Sequence, residues 1–245
     1  MRYLGGKSKI AKRLAAVIGG GHVLVEPFVG GGAMTAALAP SFETVLAYDS
    51  HPDLILMWQA LQNGWVPPRT ITEAQYTDLR RDMPSPLRAF AGFAGASWGG
   101  KWFGGYARGG ARNYADEAAR SLLRDIQRMK NVTFACADYK SAPVYSGDVV
   151  YADPPYADST GYGGQFDNAE FWRIAGEWAD IGARVFVSEY QAPADWTCVW
   201  SVERTRDMKA HMTDAIRVTE RLFTKKTLPM GDNRISMESL NRQEG

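Results

Sequence analysis

Asp153-Pro154-Pro155-Tyr156 follows Val149-Val150-Tyr151-Ala152 without a break. The four apolar residues have the composition of a strand buried on both faces. Neither proline carries an N–H for the ladder, so the strand must stop there. Pro154 also biases Asp153 toward an extended conformation. A carboxylate, a rigid corner and an aromatic ring are thereby expected at the carboxyl end of a core strand, the edge where open α/β sheets bind ligands. Such a corner suits positioning and electrostatic stabilisation rather than covalent catalysis. The bland alternatives are a turn acid at Asp153 and a core aromatic at Tyr156.

Two earlier stretches offer further chemistry. Val23-Leu24-Val25 reads as a buried strand, continued by Glu26-Pro27-Phe28-Val29-Gly30-Gly31-Gly32 and an apolar helix over 33–38. Strand, glycine-rich turn and helix form the first unit of a nucleotide-binding α/β fold. The turn is not GxGxxG, so alone it is a weak signal. Residues 44–48 predict the next strand, with Asp49 at its end. An acid there holds a ribose in dinucleotide folds; the alternative is a cap for the helix that starts near Pro52.

The elements that must carry these residues follow from periodicity. Helices are predicted over 8–18 (Ser8 as cap), 53–61, 72–81, 114–130 and 168–181. Strands are predicted over 132–135, 149–152, 184–188, 196–202 and 215–223, with residues 202–214 a polar loop bearing Arg204, Arg206 and Lys209. Residues 90–112 are glycine-rich and interleave Phe93, Trp98, Trp102, Phe103 and Tyr106 with Lys101, Arg108 and Arg112. Aromatics and cations on flexible backbone suit bases and phosphates. A packed loop whose rings join the core has even standing. Arg120, Arg124 and Arg128 recur at four-residue spacing, most simply a solvated helix face.

The bulk numbers exclude several classes. With 28 basic and 27 acidic residues, no global field advertises a polyanion partner, although cations can cluster locally. Cys136 and Cys198 have neither CxxC nor Cys/His spacing, so no metal site is expected. They read as reduced thiols filling the core of a cytoplasmic protein. The basic N-terminus lacks an apolar h-region, and no run reaches a membrane span.

Tyr3-Leu-Gly-Gly-Lys7, Val25-Glu-Pro-Phe-Val-Gly-Gly-Gly32, Ala47-Tyr-Asp49 and Asp153-Pro-Pro-Tyr156 stand in the order found in Dam-type DNA adenine-N6 methyltransferases, which the chain resembles over roughly residues 1–52 and 131–224. Arg217-Val-Thr-Glu-Arg-Leu-Phe223 is similar to that family's last strand. The resemblance implies a Rossmann-like α/β sheet dependent on S-adenosyl-L-methionine, with an inserted, mostly helical target-recognition domain. It divides the chain into a discontinuous catalytic domain (1–52 and 131–226), a recognition region (53–130) and a polar tail (227–245). Tyr3 and Lys7 would then contact the cofactor. Glu26, Pro27, Phe28, Gly30 and Gly32 would wrap its methionine part, Asp49 would hold its ribose, and Asp138 and Tyr139 would flank its adenine; Asp153 would line the same pocket. Asp153, Pro154, Pro155 and Tyr156 would grip and stack a flipped-out adenine. The implied partner is double-stranded DNA, contacted by Lys101, Trp102, Tyr106, Arg108, Arg112, Arg204, Arg206 and Lys209, with the protein a monomer or weak dimer. Restriction–modification is the implied setting. Ser188-Glu189-Tyr190 departs from the family's pattern after the fifth strand, and Glu189 takes no role from it. The competing readings are a cytosine-N4 or other amino-methyltransferase, an NAD-dependent oxidoreductase using the Gly30 turn, and a non-catalytic DNA-binding relative.

Overall fold

In the computed structural model, residues 1–108, 110, 112–155, 166–206 and 216–225 are described. The strands are β1 (Gly21–Glu26), β2 (Phe42–Asp49), β3 (Val132–Cys136), β4 (Val149–Ala152), β5 (Arg184–Glu189), β6 (Trp196–Arg206) and β7 (Ile216–Lys225). The helices are α1 (Ala11–Ile18), α2 (Ala33–Leu38), α3 (Pro52–Gln62), α4 (Glu73–Leu79), α5 (Pro86–Ala89), α6 (Tyr114–Ile126) and α7 (Asn168–Asp180). The strands form one Rossmann-like sheet in the order β3-β2-β1-β4-β5-β7-β6. The first five strands in that order are mutually parallel, and β7 runs antiparallel between β5 and β6.

The chain builds outward from β1 to β3 and then returns to place β4 on the other side of β1. A crevice must open where the order reverses, between the carboxyl ends of β1 and β4. Those ends carry Glu26 and Asp153. Every residue of β4 is buried, and its alternation feeds two cores. Val149 and Tyr151 join the larger cluster, with Leu14, Leu38, Trp58 and Leu122; Val150 and Ala152 join the smaller one, with Phe171, Ala175 and Trp178 of α7. Covering both faces explains why β4 is apolar throughout instead of alternating.

The predicted elements form, with informative shifts at the ends. The 33–38 helix is α2, and the 149–152 strand is β4. Ser8 caps nothing; Ile10 is the N-cap of α1, without a side-chain bond, and the Lys7 carbonyl takes the Ile10 and Ala11 amides, each at 2.8 Å. Thr72 is an N-cap rather than a helical residue and forms a reciprocal capping box with Gln75. The edge hairpin outruns its prediction: β6 continues to Arg206, because pairing with β7 persists through Arg206↔Ile216. Arg204 and Arg206 therefore lie on a strand, not in a loop.

Residues 53–130 share their core with the sheet. Leu54, Trp58, Tyr76, Phe90, Phe93 and Leu122 are buried in the cluster that holds Leu24, Val45 and Ala47. The glycine-rich stretch is packed backbone: Phe90–Gly95 is a fully buried π-helical segment continuing α5. A Cβ on Gly92 would stand 2.5 Å from the Trp102 ring and 2.8 Å from Phe103. Glycine is used there to admit rings. Both cysteines are exposed, which corrects their reading as core filler: Cys136 is the last residue of β3 and Cys198 lies on the edge strand β6. Among the described residues no helix is long and apolar enough to cross a membrane, and no three His, Cys, Asp or Glu side chains gather as a metal site.

Candidate active site

Four segments converge at the crevice. Asp153 and Pro154 continue β4 past its last ladder pair, Ala152↔Val187. Pro154 is buried and Asp153 half-buried. Lys7 reaches the same point from the start of α1, where its backbone is fixed by the first helical amides. Its side chain is 2% exposed. Lys7 Nζ donates to Asp153 Oδ1 at 2.8 Å and to the Gly5 carbonyl at 3.1 Å. Glu220 of β7 places Oε2 at 3.7 Å from the same ammonium. The lysine expected to touch a cofactor is thus tied to the acid of the proline corner and to a second buried carboxylate. Sequence reasoning gave Glu220 no role. The signal was present, as an acid on the same strand face as Leu222, where an apolar residue belongs.

The second segment is the turn after β1. Gly32 is the N-cap of α2 in the left-handed conformation, φ 66°, and a Cβ there would stand 2.5 Å from Trp58. The Trp58 indole N–H donates to the Gly30 carbonyl at 3.1 Å and holds the turn from below. The Tyr3 side chain lies over Gly30 and Gly31: a Cβ on Gly30 would stand 2.8 Å from its ring and one on Gly31 2.7 Å from its Cβ. This close approach is made by protein rings as well as being available to a ligand.

The third segment is the end of β2. Asp49 Oδ2 accepts the Gly30 amide and Oδ1 the His51 amide, both at 2.9 Å. Asp49 therefore latches the glycine turn to β2. It does not cap α3, whose N-cap is His51 with no side-chain bond. Burial raises its carboxyl, against the pull of the two amides. Each oxygen accepts one amide and keeps a second lone pair, so a ribose hydroxyl remains compatible with the latch.

Glu26 closes β1 at the crevice. It is 1% exposed, and burial, with the Asp153 and Asp49 carboxylates adding to it, pushes its pKa to about 8. The neighbouring Thr35 hydroxyl opposes that rise, although neither its Oγ1 nor Glu26 Oε2 reaches full hydrogen-bond geometry with a described residue. A buried orphan acceptor at a ligand edge is where a cationic group of a bound molecule is best received. The residues present fit S-adenosyl-L-methionine in that respect. Glu26 and Thr35 would take its ammonium side and Asp49 its ribose.

The fourth segment is Asp138–Tyr139. Asp138 is exposed and accepts the Lys140 amide at 2.9 Å. Tyr139 is buried against Phe28, ring centroids 5.2 Å apart, with Phe166 at 5.7 Å and Phe171 at 5.8 Å. Phe28 and Tyr139, expected from separate motifs, thus share one aromatic wall beside the crevice. Pro27 is buried.

The expected DNA contacts divide. Lys101 is exposed on a loop whose Gly100 carbonyl accepts the Leu4 amide at 3.1 Å, beside the Tyr3–Lys7 segment. Arg108 pairs with Glu73, and Arg112 forms a two-pronged pair with Glu117, on the surface. Trp102 and Tyr106 are half-buried and are held by packing against the core. Trp102 sits 4.4 Å from His51 and 4.6 Å from Phe93, and Tyr106 Oη donates to the Ile71 carbonyl at 2.8 Å. The exposed ring of this loop is Trp98, at 59%. Tyr156, Lys209 and the side chains of Arg204 and Arg206 lie outside the described residues.

No curated protein matches the chain. Among solved structures it is similar to the 23S rRNA methyltransferase ErmE (13% identity, 93% of this chain and 71% of that one, TM-score 0.45). It is also similar to the N-methyltransferase NodS from Bradyrhizobium japonicum (12%, 89% and 94%, 0.42). A third is a precorrin 8W decarboxylase from Methanobacterium thermoautotrophicum (14%, 89% of each chain, 0.42). Residues 3–85, which span Tyr3, Lys7, the glycine turn and Asp49, match the family model of the D12 class N6 adenine-specific DNA methyltransferases.

Proposed function

We propose that this chain is a DNA adenine-N6 methyltransferase of the Dam type, transferring a methyl group from S-adenosyl-L-methionine to a flipped-out adenine in double-stranded DNA. The observation that carries the reading is the Asp153–Pro154 corner at the switch point, bonded through Lys7 to the segment matched by the adenine-specific family model.

The bound donor supplies an electrophilic methyl on a sulfonium. Adenine N6 is a poor nucleophile, because its lone pair is delocalised into the ring. Asp153 and the Pro154 carbonyl are two acceptors held in fixed directions by a buried proline. Accepting the two N6 hydrogens there favours a pyramidal, electron-rich amine. With the donor bound, the N6–carbon bond would form as the carbon–sulfur bond broke, the electron pair leaving with sulfur, and Asp153 would take the proton lost from N6 and pass it to solvent. The adenine must leave the duplex to reach this corner, and Tyr156 is assigned to stack on it. Lys101, Arg108 and Arg112 are assigned to phosphates; 53–130 is the recognition region by this reading. An acid at position 153 favours adenine over cytosine.

Incubation with methyl-labelled S-adenosylmethionine and adenine-containing DNA, followed by mapping of modified bases, tests the proposal. Label on adenine N6 is expected. Cofactor binding without label in DNA, or label on cytosine, refutes it.

A further inference from the structure

Glu26 ends β1 at the switch point with its side chain buried. The groups that face its carboxyl come from each neighbouring element: Thr35 of α2, Asp49 at the end of β2, and Tyr151 and Asp153 on and just beyond β4. They are a hydroxyl, a phenol and two acids, so none brings a positive charge. The Lys7 ammonium lies on Asp153 at 2.8 Å. We propose that Glu26 selects S-adenosylmethionine by its ammonium at the expense of a proton: Glu26 is a neutral acid before binding, becomes a carboxylate against the bound ammonium, and releases its proton to solvent.

A carboxylate taken out of water without an opposite charge is far less favourable than the protonated acid. Burial is accordingly the largest cause of the rise of the Glu26 carboxyl to about 8. An ammonium placed against Oε2 reverses that preference. It brings a positive charge into contact where the low dielectric makes the attraction strong, and its hydrogens meet an oxygen that the protein leaves open. The O–H bond of the acid breaks and the proton passes to buffer. A neutral acid and a cation thus become a carboxylate–ammonium pair and a hydrated proton.

The geometry also says which part of the ligand controls the proton. Asp49 is the second buried acid of the crevice, and burial raises its carboxyl too. Its oxygens already accept the Gly30 and His51 amides at 2.9 Å, and both bonds favour its carboxylate. Asp49 is placed for a ribose and Glu26 for an ammonium. A ligand with the ribose and no ammonium therefore leaves the Glu26 proton in place.

This inference rests on the methyltransferase reading, in that the ammonium is the cofactor's, and the experiment separates the two. Binding of S-adenosylmethionine to the full chain is measured by calorimetry in phosphate and in imidazole buffers, whose different ionisation heats count the protons released. Wild type is expected to release about one proton per cofactor at about pH 6.5 and about half of one at about pH 8, and to gain affinity by about tenfold per pH unit below about pH 7.5. Glu26→Gln is expected to release none, with an affinity that stays level over that range. Methylthioadenosine, which keeps the adenosine and lacks the ammonium, is expected to bind wild type without releasing a proton. Binding of S-adenosylmethionine to wild type without proton release overturns the proposal. Release that persists in Glu26→Gln, or equal release with methylthioadenosine, assigns the proton to another group and overturns it as well. The variant and the analogue are independent controls, so either decides if the other binds too weakly to measure. A wild type that binds no S-adenosylmethionine sinks the functional reading and this inference together. Proton-coupled binding in a protein that methylates no DNA sinks the DNA reading and leaves this inference standing.

Discussion

Glu26 gives the sharpest test, because its burial has a sign that can be worked through. Its carboxyl has a folded pKa of about 8 against an ordinary value of 4.5. A carboxyl raised in the folded state binds its proton more tightly folded than unfolded. The resulting stability is fully present below the unfolded value, is lost as pH rises, and stops falling above about pH 8. Integrating between about pH 6 and about pH 9 with that shift, this one group costs the fold roughly 2 to 3 kcal/mol. Glu26→Gln keeps the shape of the neutral acid and cannot ionise. Urea unfolding of wild type and variant at the two pH values, without added cofactor, reads the difference as a change in midpoint at constant m. The expected result is that the variant gains on the wild type by that amount as pH rises. A stability gap between the two proteins that does not change with pH would refute the claim that burial raises the Glu26 carboxyl. A gap that moved the other way would mean that the carboxylate, not the acid, is the form stabilised by folding.

Asp153→Ala is expected to retain cofactor binding, measured by calorimetry, while kcat falls by roughly a hundredfold to a thousandfold; normal turnover would contradict its assignment. Alanine at Lys101, Arg108 or Arg112 is expected to weaken binding on all DNA sequences alike and to flatten the slope of log K against log salt by about 1 per contact. Unchanged slopes would remove these residues from the DNA surface. Because Arg108 and Arg112 already pair with Glu73 and Glu117, part of their binding energy is offset by breaking those pairs. Gly92→Ala forces a Cβ against Trp102 and Phe103 and is expected to cost about 1 to 3 kcal/mol in denaturant unfolding, with no route to relief on a fully buried segment.

Much of the architecture was legible because it is local. A Val-Val-Tyr-Ala run ended by two prolines specifies a buried strand and its stop from covalent geometry alone. The glycine turn followed by Ala33–Leu38 specifies the first β–turn–α unit in the same way. The sequence by itself also placed an acid after each of β2 and β4, since strand ends follow from where apolar runs stop. Motif order, through the resemblance, assigned those acids to a cofactor and a base only as an expectation.

What only the tertiary structure decided is what those side chains meet. Lys7 and Glu220 are separated by almost the whole chain and face each other across 3.7 Å, through a strand order that no periodicity reveals. Trp102 and Tyr106 had the composition of a nucleic-acid loop and are half-buried against the core, Trp102 in the room that Gly92 leaves. Ser8 lost its cap to a turn closed by the Lys7 carbonyl, and β6 outran its prediction because a partner strand kept offering hydrogen bonds. Propensity and spacing act between neighbours in the chain. Burial, charge pairing and ladder length depend on neighbours in space, and the reversal between β1 and β4 is what brings the Asp153 corner, the Lys7 ammonium and the Glu26 acid to one crevice.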